Sequence, residues 1–256
     1  MSLESSRKTG IQPIIILPQT LAEQFIVLLY NRKYYVGGCV EITWHGFSCF
    51  KLAERGSATV VTDPYNSVQA GLAPLKLAAD IVTVSHTIPT ITDPGMIAGT
   101  PYMITGPGEY EVGGVFITGI QTGGHKASGA LENQEQNTLY VFDFNALTVA
   151  HLGDLNRILT QAEIEAIGTV NVAFVPIGSQ HGLNAARAAE VINQLEPNLV
   201  IPMHYAEPAD RIPLDALGKF LKEMGLSEVE KQPSLKVTSS SLPEETQVVV
   251  LDYHRG

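Results

Sequence analysis

Four titratable side chains stand where an apolar run of the chain stops: Asp63 after A-T-V-V-T, His86 after I-V-T-V-S, Asp154 after T-V-A-H-L-G and His204 after L-V-I-P-M. Carboxylates and imidazoles are the groups that hold cations and move protons near neutral pH. Apolar runs of this length, closed by proline, glycine or polar residues, predict buried strands ending in loops. In an α/β protein the chemistry collects at such strand ends. Asp63 precedes Pro64, which aims its carboxylate at the loop of His86, and Gly153 lets the backbone turn sharply before Asp154. His125 and His181 sit in the loops Q-T-G-G-H-K-A-S-G and G-S-Q-H-G-L-N, each after a predicted strand.

Other combinations offer less. His151 lies three residues before Asp154 and reads as a core or supporting histidine, while His45 reads as a partly buried turn residue. Glu109 and Glu111 share one face of a predicted strand, as an acid/base pair would, yet G-E-Y-E-V-G-G has the composition of a hairpin. The glycines between 106 and 119 lack the Gly-Lys-Ser/Thr ending of a phosphate cradle. Ser48 and Cys49 are the nearest nucleophiles, and the predicted strand buries both.

The elements that must position these residues can be read in order. E-I-T-W-H-G-F-S-C-F-K-L predicts a strand, a turn at Gly46 and a returning strand; a further strand runs to Asp63. L-A-P-L-K-L-A-A predicts a short helix leading into the strand at Ile81. A hairpin over Asn145 leads to Asp154. Thr160 and Glu163 form a capping box, and Asn184 caps a helix that buries Ala188, Val191, Ile192 and Leu195. P-L-D-A-L-G-K-F-L-K-E-M predicts a last helix, after which Q-V-V-V-L-D-Y closes the sheet. Strands and helices alternating in this way predict an α/β sandwich.

The chain has 256 residues, 45% of them apolar and 16% charged, with a net charge of -10. It is long enough for one large core. An acidic chain without a basic cluster opposes binding to nucleic acid. Two cysteines ten residues apart make no framework and suit a reducing, cytoplasmic setting. Residues 1–40 form an extension with a short helix expected at 20–30; its apolar pieces fall short of the ~20 residues that cross a bilayer, so no membrane partner is expected. The partner expected is a small-molecule substrate or ligand.

The segment from Ile81 to Gly95 resembles the metal-binding loop of the metallo-β-lactamase superfamily, in which a strand ending in Ser or Thr is followed by H-x-H-x-D-H. His86 matches the first histidine, whereas Ile88, Thr90 and Ile91 stand where the pattern has His, Asp and His. W-H-G-F-S-C-F is similar to the opening hairpin of the superfamily, with Phe47 in place of a histidine. The G-G-H segment, H-L-G-D and the final M-H match further motifs. The resemblance implies a four-layer αββα sandwich over 41–256. It implies metal ligands at His86, His125, Asp154 and His204, with Asp63 supporting a ligand histidine from behind, His181 as a further supporting residue, and His181, His45 or Asp93 as substitute donors. It implies one divalent metal, zinc, and no second one, since two donors are replaced by isoleucine. The implied chemistry is hydrolysis of a small ester, lactone or phosphoester by metal-activated water, as in the ascorbate-phosphate lactonase-like branch. The alternatives are an inactive relative that binds a metabolite or protein, and a metal-independent enzyme using His86 or His181 as base.

Overall fold

Two sheets stacked face to face carry the strand ends singled out above. The computed structural model describes residues 38–87, 91–122, 137–178, 182–207 and 213–254, all within the second of the chain's two units, Met1–Val36 and Gly37–Gly256. The helix expected at 20–30 lies outside the described residues.

In chain order the strands are β1 (Val40–Trp44), β2 (Phe50–Glu54), β3 (Val60–Thr62), β4 (Ile81–Thr83), β5 (Tyr102–Ile104), β6 (Gly108–Val112), β7 (Val115–Gln121), β8 (Thr138–Asp143), β9 (Thr148–His151), β10 (Val172–Pro176), β11 (Leu199–Met203), β12 (Lys231–Gln232), β13 (Leu235–Val237), β14 (Gln247–Val248) and β15 (Val250–Leu251). The α-helices are α1 (Ser67–Ala70), α2 (Gln161–Ile167), α3 (Ala185–Leu195) and α4 (Leu217–Glu223). The first sheet has the order β13-β1-β2-β3-β4-β5, the second β14-β11-β10-β9-β8-β7-β6. β3, β4 and β5 are parallel, as are β9, β10, β11 and β14. Each parallel set therefore brings the carboxyl ends of its strands to one edge, which is where an α/β sheet presents loops for binding.

Alternation in β1 and β2 turns Ile42, Trp44, Phe50 and Leu52 inward and leaves Glu41, Thr43, Lys51 and Ala53 on the outer face. Phe50 stacks on Phe174 of β10 with ring centroids 4.1 Å apart, which locks one sheet on the other. β10 and β11 are buried along their whole length, and α3 packs against β10. α2 begins with the expected capping box at Thr160 and Glu163, and α3 buries Ala188, Val191, Ile192 and Leu195 beneath its Asn184 cap. The result is the αββα sandwich. At the sheet edge, Gly113 and Gly114, at φ 55° and 80°, make the two-residue turn joining β6 to β7. Glu109 and Glu111 are both exposed on β6.

Three expectations about elements change. The helix read over L-A-P-L-K-L-A-A is absent; a single turn, α1, precedes it and ends at Gly71 in the left-handed region. Pro74 removes a donor and restrains its predecessor, so the segment runs extended, with Leu75 and Leu77 buried and Lys76 exposed between them. The last helix starts only at Leu217, because the backbone of Asp215 pairs with Gly178 and Ala206 instead. The C-terminal run divides: β14 extends the second sheet beside β11, whereas β15 pairs with β12 in a separate two-stranded sheet. Among the described residues, no helix is long and apolar enough to cross a membrane.

Candidate metal centre

Because β3 and β4 are parallel neighbours, Asp63 and Ser85 emerge side by side. Asp63 takes a left-handed backbone conformation, φ 39°, rare for a non-glycine residue and found at sites where surroundings enforce it. Its Oδ1 accepts the Ser85 N–H at 2.6 Å and its Oδ2 accepts the Ser85 hydroxyl at 2.5 Å. With its single proton given to the carboxylate, Ser85 Oγ can only accept from His86 Nδ1, 2.8 Å away. His86 is thereby held as the Nδ1–H tautomer, with the Nε2 lone pair left for a cation. The Asp63 Oδ2 itself is 3.7 Å from His86 Nδ1. Its support passes through the serine.

On the second sheet, β9 leads to Gly153 at φ 62°, where an added Cβ would fall 2.2 Å from Asn137 Oδ1 and 2.8 Å from Ser85. That Oδ1 accepts the Asp154 N–H at 2.9 Å, and Asn137 Nδ2 donates to Leu152 O at 3.1 Å and Thr122 Oγ1 at 2.8 Å. His204 follows β11 at φ 56°, its N–H donating to Phe47 O at 3.1 Å. The His204 side chain is 3% exposed, and its Nδ1 lies 3.5 Å from Asp154 Oδ1. Among the described residues this buried Nδ1 has no hydrogen-bond partner, a state that costs free energy unless something else occupies the lone pair or proton.

One donor atom from each of His86, Asp154 and His204 lies within 4.8 Å of the other two. Two imidazoles and a carboxylate are a donor set that zinc and similar cations accept, and the unpartnered Nδ1 points the same way. These three residues would hold the ion. Asp63 is outside the set. His125 and His181, the fourth expected ligand and the other expected supporting residue, lie outside the described residues, as do Ile88 and Thr90. Ile91 packs half-buried against the cluster formed by Phe47, Val61, Tyr65 and their neighbours. Phe47 presents its ring edge-on to His204 at 5.9 Å, so one wall of the site is apolar.

The remaining candidates have other tasks. His151 is fully buried; its Nε2 donates to Ser48 O at 2.9 Å and its Nδ1 accepts the Gly153 N–H at 3.2 Å. Burial pushes its pKa down, and it supports the Gly153 turn as a neutral imidazole. Asp93 caps the short 3₁₀ turn at Pro94–Met96 and accepts the Gly95 N–H, which occupies it structurally. His45 faces Thr43 Oγ1 on the outer face of the first sheet. Cys49 is fully buried, and burial followed by the charge of Asp63 pushes its thiol pKa up, which removes it as a nucleophile.

Ser85 and Asn137 are the contributors that sequence reading does not single out. Ser85 carries one clue, its place beside His86. Asn137 carries none, since its partners at 122, 152 and 154 are distant in sequence.

The chain matches the family model of the β-lactamase superfamily domain over residues 41–204, and it belongs to the metallo-β-lactamase superfamily. A solved structure, a candidate Zn-dependent hydrolase of that superfamily from Thermotoga maritima, superposes with a TM-score of 0.68 at 33% identity, covering 83% of this chain and 98% of that one. The UPF0173 metal-dependent hydrolase of Thermoplasma acidophilum is 27% identical over 65% of this chain and 83% of its own length. That of Thermococcus kodakarensis is 25% identical over 79% of each.

Proposed function

We propose that the chain is a metal-dependent hydrolase that cleaves a small ester, lactone or phosphoester, and that it uses one divalent ion, zinc, held by His86, Asp154 and His204 with His125 as a further donor. The observation that carries this reading is the convergence of three donor atoms within 4.8 Å at the carboxyl ends of β4, β9 and β11. The names of the UPF0173 relatives support it. A zinc ion at this place supplies Lewis acidity and makes water more acidic. The protein's own part is orientation: the Asp63–Ser85 pair keeps the proton on His86 Nδ1, Asn137 holds the backbone of Asp154, and Phe47 keeps bulk water from one side of His204.

Elemental mass spectrometry on protein purified without chelators tests this reading. The expected result is close to one zinc per chain, lost in His86→Ala, Asp154→Ala and His204→Ala variants that remain folded. Two ions per chain after dialysis, or one that survives all three substitutions, overturns it. The apolar wall of Phe47 and Ile91 favours a second reading, an inactive relative that retains a metabolite beside these residues. Turnover of a panel of activated esters, lactones and phosphoesters by the zinc-loaded chain separates the two.

A further inference from the structure

Away from the metal centre, a cavity of about 360 Å³ opens on the outer face of the first sheet. Glu41, Thr43 and His45 line it from β1 and the turn after it, Lys51 from β2, Lys76 from the extended segment after α1, and His254 from the C-terminus. Its walls follow from the strand register: Thr43 pairs with Lys51 and Glu41 with Ala53, so the polar residues of both strands share the face opposite Trp44 and Phe50. His254 is brought to the cavity by its N–H, which donates to Trp44 O at 2.8 Å, and its ring meets that of His45 edge-on at 5.2 Å.

The charges of this cavity are unlike those of the chain around it. The protein carries -10 overall, yet two ammonium groups and two imidazoles face a single carboxylate here. That carboxylate, Glu41, already has the Lys236 ammonium 3.6 Å from its Oε1. Among the described residues, neither Lys51 nor Lys76 forms an ion pair. The positive potential is felt locally: the pKa of His45 is lowered to about 4 by burial first, then by His254 and Lys51. A cation is excluded, since imidazoles that could ligate it share the cavity with two ammonium groups. An apolar ligand would cover the two ammonium groups without pairing them. What fits is a compact anion with several acceptor oxygens, and the cavity has room for an organic group beyond one phosphate.

We propose that this cavity binds the phosphate group of a small phosphomonoester. Lys51 and Lys76 meet the dianion as point charges, the imidazole of His254 supplies a hydrogen bond, Thr43 and His45 stay paired with each other at 3.1 Å beside it, and the site shares no residue with the metal centre. It stands whether or not the hydrolase reading does.

The test is a titration of the full chain with inorganic phosphate and with glycerol phosphate at constant ionic strength, with chloride as control, followed by NMR of the imidazole resonances. Saturable shifts at His45 and His254, with His86 and His204 unmoved, are expected, and glycerol phosphate should bind more tightly than phosphate. Lys51→Gln and Lys76→Gln should each weaken binding by about tenfold, the loss expected for one charged hydrogen bond; both lysines reach solvent, so the fold survives, as circular dichroism would verify. His204→Ala should leave the binding as it was. Absence of saturation, shifts confined to His86 and His204, or unchanged affinity in the Lys51→Gln/Lys76→Gln double variant overturns the proposal.

Discussion

The hydroxyl of Ser85 lies 2.5 Å from Asp63 Oδ2 and joins that carboxylate to His86, whose Nδ1 is 2.8 Å from Ser85 Oγ. A group that contributes nothing to a metal's coordination thus decides which nitrogen of His86 faces it. Ser85→Ala leaves the Asp63 carboxylate with one donor fewer in a buried place and frees the imidazole to rotate. The expected outcome is a loss of about 1.5–3 kcal/mol in unfolding free energy and a fall of about 10–100-fold in zinc affinity. Urea denaturation and competition against a chromophoric chelator measure the two effects; a stability loss with unchanged zinc affinity would show that the serine is only structural.

Asn137 satisfies the Asp154 N–H, the Leu152 carbonyl and the Thr122 hydroxyl at once. Asn137→Ala leaves these groups without it, and thermal unfolding should report a loss of about 2–3 kcal/mol, the range for buried groups deprived of partners. Asn137→Asp should be no milder, because the amide's donors become acceptors facing a carbonyl.

Gly153→Ala places a Cβ on a residue at φ 62° and against both Asn137 and Ser85. Destabilisation of more than about 1 kcal/mol is expected from backbone and contact together, with metal affinity lowered as well since Asp154 is the next residue. A variant as stable as the parent would show that the turn relaxes freely.

His45 links stability to pH. Its folded pKa of about 4 lies below the roughly 6.5 of an unfolded histidine, so the unfolded chain binds the proton more readily. The neutral imidazole's contribution is fully present above pH ~6.5, declines as pH falls through the interval and is gone below about 4, amounting to on the order of 3 kcal/mol at most. His151, also pushed down by burial, adds in the same direction. The difference in unfolding free energy between parent and His45→Asn, measured from pH 8 to pH 4, should shrink as the solution becomes more acid. A difference that does not vary with pH would refute the assignment.

What could be read from the sequence was whatever repeats at short range. The alternation in β1 and β2, the Thr160–Glu163 capping box and the inward face of α3 are local patterns, and the strand ends at Asp63, His86, Asp154 and His204 follow from apolar runs that stop at polar loops. The superfamily motifs gave the order in which those ends assemble. The serine bridge could not be read, because which of Asp63 and Ser85 touches His86 depends on the register of β3 against β4. Asn137 was invisible for the same reason at longer range. L-A-P-L-K-L-A-A misled because its leucines satisfy a helical pattern about as well as an extended one, and Pro74 decides for the latter.

His86 belongs to the first sheet, whereas Asp154 and His204 belong to the second. An ion shared among them would therefore be a cross-link between layers that otherwise adhere through side-chain packing such as Phe50 on Phe174 and through hydrogen bonds such as that of His151 to Ser48 O. Separating the layers would then require breaking coordinate bonds as well as exposing apolar surface, so the mechanical and kinetic resistance of the sandwich to opening would be set at this edge. The chemistry of the site and the lifetime of the folded state would answer to the same atom.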